Sequence, residues 1–194
     1  MLQIRTAEAA DAALILELIR SLAVYEREPE AVVATEEDIL RDGFGDRPLF
    51  RCLIAEWDGI AVGFAFYFFN YSTWRGRPGI HLEDLFVRPE FRGKGIGKAL
   101  LIKVAAVAVE NQCARFQWDV LDWNQPAIDF YHSLGAKFMS EWRIMRVSGE
   151  ALTALAAGAP IPAKKGSGVL SDRDFTTEDG EPRGLLGGLA KGAG

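Results

Sequence analysis

Three short stretches of this 194-residue sequence hold residue types that can do chemistry. The first is Arg92-Gly93-Lys94-Gly95-Ile96-Gly97-Lys98. Three glycines let a backbone come close to a ligand. If the segment opens a helix, the six successive N–H groups from Gly93 to Lys98 converge on an anion such as a pyrophosphate, aided by the helix dipole. Arg92 and Lys98 add positive charge. The pattern is neither the Gly-x-Gly-x-x-Gly dinucleotide fingerprint nor a P-loop, since no Gly-Lys-Ser/Thr closes it. A plain tight turn with surface bases is the bland alternative. The second stretch is Glu83 in Leu82-Glu83-Asp84-Leu85-Phe86-Val87. A carboxylate among apolar neighbours has a raised pKa, which suits it to take a proton from an ammonium group whose own pKa is near ~10. A salt bridge to an arginine is the structural alternative. Asp84 falls on the other face of a regular strand, so the two acids share one pocket only if a bulge intervenes. The third stretch runs from Asn124 to Gly135 and contains Pro126, Ala127 and Tyr131. Pro126 suits a first helical turn and Asn124 its cap. Tyr131 reads as a proton donor or as a packing residue.

The elements that must position these groups follow from pattern. Leu2 to Arg5 is strand-like, and Asp11 to Tyr25 has apolar residues at helical spacing. Thr35 with Asp38 forms a capping box for a short helix ended by Gly43. Phe50 to Trp57 and Ile60 to Tyr71 are strands joined by an Asp58-Gly59 hairpin turn. Ile80 to Val87 is a strand, about Gly97 to Glu110 a helix, Arg115 to Leu121 a strand, Pro126 to Leu134 a helix and Lys137 to Val147 a final strand. An antiparallel half followed by a strand–helix–strand unit predicts an α/β (α+β) fold: a mixed, mostly antiparallel sheet with helices on both faces. Residues 1–147 read as one domain. Residues 148–194, with ten of the twenty glycines and Phe175 as their one aromatic, read as a Gly/Ala-rich extension.

Charge narrows the partners. The net charge of −5 argues against a broad nucleic-acid surface. All of that excess lies between Glu26 and Asp42, with seven acids against two bases. A local negative field attracts a cationic substrate; complementing a helix N-terminus is the other use for Glu36, Glu37 and Asp38. The longest apolar run, Ile60 to Phe69, is too short to cross a bilayer, so no membrane association is expected. No basic-then-apolar leader is evident at the N-terminus. Cys52 and Cys113 read as core thiols of a cytoplasmic protein, and His81 and His132 show no metal-ligand spacing, so no metal is expected.

Arg-x-x-Gly-x-Gly between a strand and a helix resembles the coenzyme A pyrophosphate loop of the GNAT superfamily of N-acetyltransferases. The Asn124–Gly135 stretch resembles the second motif of that superfamily. Within it, Leu22–Glu26, Asp42–Asp46, Val62–Tyr67, Leu82–Val87 and Asp119–Tyr131 are similar to the diamine (spermidine/spermine) N-acetyltransferases over about residues 3 to 147. The chain departs from that pattern in a shorter turn at Asp58-Gly59, a shortened Ser140-Glu141-Trp142 segment and the extension after Ser148.

The resemblance implies transfer of an acetyl group from acetyl-coenzyme A to a primary amine of a small cationic acceptor such as a diamine or polyamine. It implies that Leu85, Phe86 and Val87 present backbone groups to the acetyl-pantetheine arm, that Gly93 to Lys98 hold the pyrophosphate, and that Asn124, Pro126 and Ala127 complete the cofactor site. For the amine it points to Tyr25, Glu26, Glu83, Gln117, Trp118, Asp119 and Glu141. Tyr131 is implied to protonate the departing sulfur; a thiol pKa near ~8.5 against ~10 for a phenol makes this assistance rather than a necessity. A homodimer is also implied. The alternatives are a thialysine-like amino acid or protein-lysine acceptor, and an acyl-coenzyme A-binding regulatory module without turnover.

Overall fold

In the computed structural model, residues 1–160 can be described. They fall into two compact units, Met1–Asp119 and the chain from Val120 onward. The first unit is a five-stranded sheet in the order β1-β2-β3-β4-β5. Its strands are β1 (Leu2–Thr6), β2 (Arg51–Trp57), β3 (Ile60–Ser72), β4 (Arg77–Val87) and β5 (Phe116–Trp118). The first three pairings are antiparallel and β4–β5 is parallel, the mixed sheet the pattern predicts.

Strand alternation divides the core between two faces. Cys52, Ile54, Phe64 and Phe86 join Ile15, Leu18, Ile19 and Leu22 of α1 (Ala12–Tyr25) and Ile39 of α2 (Glu36–Phe44) in one apolar cluster. The alternate strand residues Leu53, Ala65, Tyr67, Ile80 and Leu82 are buried outside that cluster. The helix α3 (Ile96–Glu110) packs on β1 to β4 and buries Ile96, Leu100, Leu101 and Val104. Helices therefore cover both faces.

Local chemistry sets the boundaries. Thr35 caps α2, accepting from the Asp38 amide while the Asp38 carboxylate accepts from the Thr35 amide. That helix continues through Gly43 to Phe44 because Gly43 serves close packing rather than termination, and a Cβ there would lie 2.4 Å from the Phe50 ring. The Asp58-Gly59 turn has positive φ at both residues (51° and 82°), as a two-residue hairpin of the primed type requires. At the sheet's start, Arg5 holds Asp11 with two bonds of 2.7 and 2.8 Å and Glu56 with a third of 2.7 Å.

From Val120 onward the described chain forms α4 (Gln125–Ser133) and α5 (Gly149–Ala156). Two further sequence expectations are corrected. The fifth strand is shorter than Arg115–Leu121, ending at Trp118 where its pairing with β4 stops at Leu82. Lys137–Val147 forms no strand among the described residues, and Phe138, Met139, Trp142, Ile144, Met145 and Val147 are exposed. An apolar–polar pattern becomes a strand only where a neighbouring strand supplies hydrogen bonds, and no ladder among the described residues includes this segment. Of the 148–194 extension, residues from 161 on lie outside the described part.

Candidate functional site

In the first unit the chemistry gathers on β4 and the turn that follows it. β4 pairs with β3 in register on both sides of one irregularity: Leu82 opposes Tyr67, Asp84 opposes Phe66, and Glu83 is the extra residue between them. This is the bulge on which the sharing of one face by the two acids depends. His81 opposes Phe68, and Phe66 and Phe68 point to the same side of β3. The inserted residue thus turns Asp84 onto the face that carries His81, where regular alternation would place it opposite. Glu83 stays beside them, its Oε2 lying 3.6 Å from His81 Nε2.

The α1 side adds a third carboxylate. Glu26 is the C-terminal cap of α1, and burial lifts its carboxyl pKa to about 7. Asp84 is pushed well above the ordinary carboxyl range, first by burial and then by the charges of Glu83 and Glu26. Such mutual repulsion means that the three groups share one low-dielectric region. A cation entering it would relieve the repulsion. His81 completes the group: its ring stacks on Phe68 at 5.1 Å between centroids, and Nε2 lies 3.8 Å from Asp119 Oδ2. Gln117 pairs with His81 across β4–β5, which puts it on the same face, whereas Trp118 pairs with Leu82 on the other.

The turn after β4 is open. Gly93 and Gly95 have φ of 75° and 78°, and a Cβ at either would meet nothing within 4 Å. Gly95 caps α3. Backbone hydrogen bonds in the turn run from the Arg92 amide to Pro89 O and next from the Ala99 amide to Gly95 O, leaving the amides between them to other partners. Arg92 is drawn back onto the protein, its Nε donating to Val87 O at 2.9 Å and its guanidinium lying 4.2 Å from the Tyr25 ring centroid. Lys94 Nζ sits over the rings of Phe91 and Trp57, at 4.9 and 5.0 Å. Lys98 is exposed on the first turn of α3.

Between these two features runs Leu85-Phe86-Val87. These residues pair with β3 on one side, while β5 opposes β4 only at Ile80–Leu82. Among the described residues, their other side faces no strand of this sheet. Gly63 makes that stretch possible: a Cβ there would lie 2.5 Å from Phe86 O and 3.2 Å from Val87 Cα.

In the second unit, Asn124 caps α4 through its Oδ1, which accepts from the Ala127 amide at 3.4 Å, with Pro126 in the first turn. Gly135 closes the helix at φ 87°, with the Ala136 amide reaching Tyr131 O. Tyr131 stands on the last turn, its ring 5.4 Å from that of Phe130. Glu141 lies in the exposed segment after α4.

The sequence singles out Tyr25, Glu26, Glu83, Gln117 and Asp119, and the first unit holds them together with the glycine turn. It does not single out His81 or Gly63. The i, i+2 spacing of His81 and Glu83 on one strand is the available signal for the histidine. Among the described residues no set of three His, Cys, Asp or Glu side chains could hold a metal ion, and both cysteines are free thiols.

Residues 14–136 match the model of the acetyltransferase (GNAT) family. The chain is 44% identical over 164 residues to a thialysine N-epsilon-acetyltransferase of Sus scrofa, an alignment covering 79% of this chain and 96% of that protein. It is 42% identical over 164 residues to the spermidine/spermine N(1)-acetyltransferase-like protein 1 of Homo sapiens, covering 79% of this chain and 24% of that protein. Among solved structures, an integron cassette protein from the mobile metagenome of V. cholerae superposes with a TM-score of 0.69 at 26% identity, covering 80% of this chain and 97% of that one.

Proposed function

From the premise that this chain belongs to the GNAT acetyltransferase family and is an N-acetyltransferase of amines, we propose that its acceptor is a small dicationic amine, a diamine or polyamine, acetylated at a primary nitrogen. The observation that carries this reading is the group of half-buried carboxylates, Glu83 and Asp84 on β4 with Glu26 at the end of α1, next to the glycine turn. A second reading, a thialysine-like amino acid with its side-chain amine as acceptor, is favoured by the 44% identity to the Sus scrofa protein. The acetyltransferase domain is proposed to end near residue 147, with the remainder as an extension.

The open glycine turn fits a diphosphate, because amides not engaged in the turn and the N-terminus of α3 point to anion binding. Gly93 to Lys98 would hold the pyrophosphate of acetyl-coenzyme A, with Arg92 beside them and Asn124, Pro126 and Ala127 completing the site. Acetyl-coenzyme A supplies the acyl group as a thioester. The chain's own residues do the rest. The carboxylates draw in the ammonium ion. Glu83 accepts a proton from it, leaving a lone pair on nitrogen for attack. A backbone N–H in Leu85–Val87 stabilises the negative charge that develops on the carbonyl oxygen. Tyr131 gives its proton to the departing sulfur. The enzyme is proposed to act as a homodimer in the cytoplasm.

A kinetic screen of putrescine, spermidine, thialysine and a lysine-containing peptide tests the acceptor. The highest kcat/KM is expected with a diamine or polyamine. A preference for thialysine would transfer the assignment to the second reading. No product with any amine, together with tight acetyl-coenzyme A binding, would mark a regulatory binding module.

A further inference from the structure

We propose that His81 is a positioning and proton-accepting residue for the amine site, receiving through Glu83 the proton that the acceptor ammonium gives up. This deepens the reading above and rests on it. The geometry is specific. A single nitrogen, Nε2, lies within 4 Å of two carboxylates, at 3.6 Å from Glu83 Oε2 and 3.8 Å from Asp119 Oδ2. The ring is fixed by its stack on Phe68, and the side chains of His81 and Glu83 are only 16% and 13% exposed.

The surroundings favour a proton resting there briefly. On its own strand His81 faces Glu83 and, on the same face past the inserted residue, Asp84. From β5 it meets the neutral Gln117 and, just past the strand end, Asp119; from β3 it meets the uncharged Phe68. Burial lowers the imidazole pKa, and Asp119 opposes that shift. The ring is therefore neutral at pH 7, ready to accept, and becomes an imidazolium between two negative groups when it does. The distances exceed a hydrogen bond, so a small side-chain rotation or one water closes the gap.

Two protons leave nitrogen: the first takes the Glu83–His81 route, and the second, lost as the amide forms, replaces the proton that Tyr131 gives to the sulfur. The ammonium N–H bond breaks and its electron pair stays on nitrogen. The proton passes to the Glu83 carboxylate and then to His81 Nε2. The imidazolium returns it to solvent, which accounts for the one proton released when an ammonium is acetylated and the thiol departs protonated.

His81→Phe keeps a flat ring for the Phe68 stack and removes the acceptor nitrogen. It should retain the wild-type melting temperature and acetyl-coenzyme A affinity. Its kcat/KM for the amine should fall roughly 10- to 100-fold, below the full range of general acid–base catalysis. The acid limb of its kcat/KM–pH profile should shift or vanish, and added imidazole should restore part of the rate. His81→Gln, which keeps polarity without basicity, should show the same loss; it stands in if the Phe variant folds poorly. Wild-type kcat/KM and an unchanged pH profile in either folded variant would overturn the proposal. Wild-type protein that acetylates no amine would instead overturn the function on which it rests.

Discussion

Arg92 stacks its guanidinium on the ring of Tyr25, 4.2 Å from the centroid, and so joins the glycine turn to the end of α1 where Glu26 stands. The sequence assigns the two residues to different ligands, arginine to the cofactor and tyrosine to the amine. In the structure each helps place the other.

Tyr25→Ala should therefore weaken acetyl-coenzyme A as well as the amine. An exposed cation–π contact is worth about 0.5–1 kcal/mol, which predicts a roughly 2- to 5-fold rise in the cofactor Kd by calorimetry. Tyr25→Phe, which keeps the ring, should bind the cofactor as wild type does. Equal cofactor affinity in Tyr25→Ala would show that the stack does nothing for the turn.

Tyr131→Phe should reduce kcat by about 10²- to 10⁴-fold, the range for a positioned proton donor, with little change in acetyl-coenzyme A affinity. Unchanged turnover at saturating substrates would remove Tyr131 from the mechanism.

Gly63→Ala tests the strand proposed to serve the acyl group. Its Cβ would sit 2.5 Å from Phe86 O, a backbone atom held in the β3–β4 ladder. Overpacking of this kind costs about 1–3 kcal/mol, read as a lowered melting temperature. Because the displaced atoms lie in Leu85–Val87, the KM for acetyl-coenzyme A should rise more than the KM for the amine. A stable variant with wild-type kinetics would mean that β4 absorbs the methyl group without moving.

The half-buried acids set a sign for the pH dependence of stability. Glu26 and Asp84 have folded-state pKa values raised by burial, Glu26 to about 7. Their contribution is full below the unfolded carboxyl pKa and is lost as pH rises through the folded values. Asp11, held below the usual range by its bonds to Arg5, acts oppositely: its contribution is lost as pH falls through its folded pKa. Asp84→Asn should flatten the decline of melting temperature with rising pH, as expected when an acid whose ionisation the fold resists is removed. Parallel melting curves against pH for the two proteins would place Asp84 in a more hydrated setting.

Much of this is legible in the sequence because it rests on short-range rules. The Asp58-Gly59 turn, the Thr35–Asp38 capping box and the Asn124 cap each depend on residues a few positions apart, and all three form. The glycine turn is legible for the same reason: Gly93 and Gly95 occupy a backbone conformation that other residues avoid. What escapes depends on pairing between strands. Nothing local in Leu82-Glu83-Asp84 says which residue is inserted; that is decided by the register against Phe66 and Tyr67. Lys137–Val147 has a strand's pattern and no strand's partner among the described residues. Gly63 is one more strand glycine in the sequence, and only the Phe86 carbonyl lying across from it gives the missing side chain a meaning.

The inserted residue in β4 also makes this strand intolerant of counting errors. Deleting one position between Leu82 and Asp84 would restore an unbroken ladder, yet it would leave one carboxyl fewer beside His81. Substitution at Glu83 removes a group; deletion removes the kink that aims its neighbours. Length variation among relatives should therefore collect in the hairpin ends and spare these few residues, since a gap here rewrites an address rather than a letter.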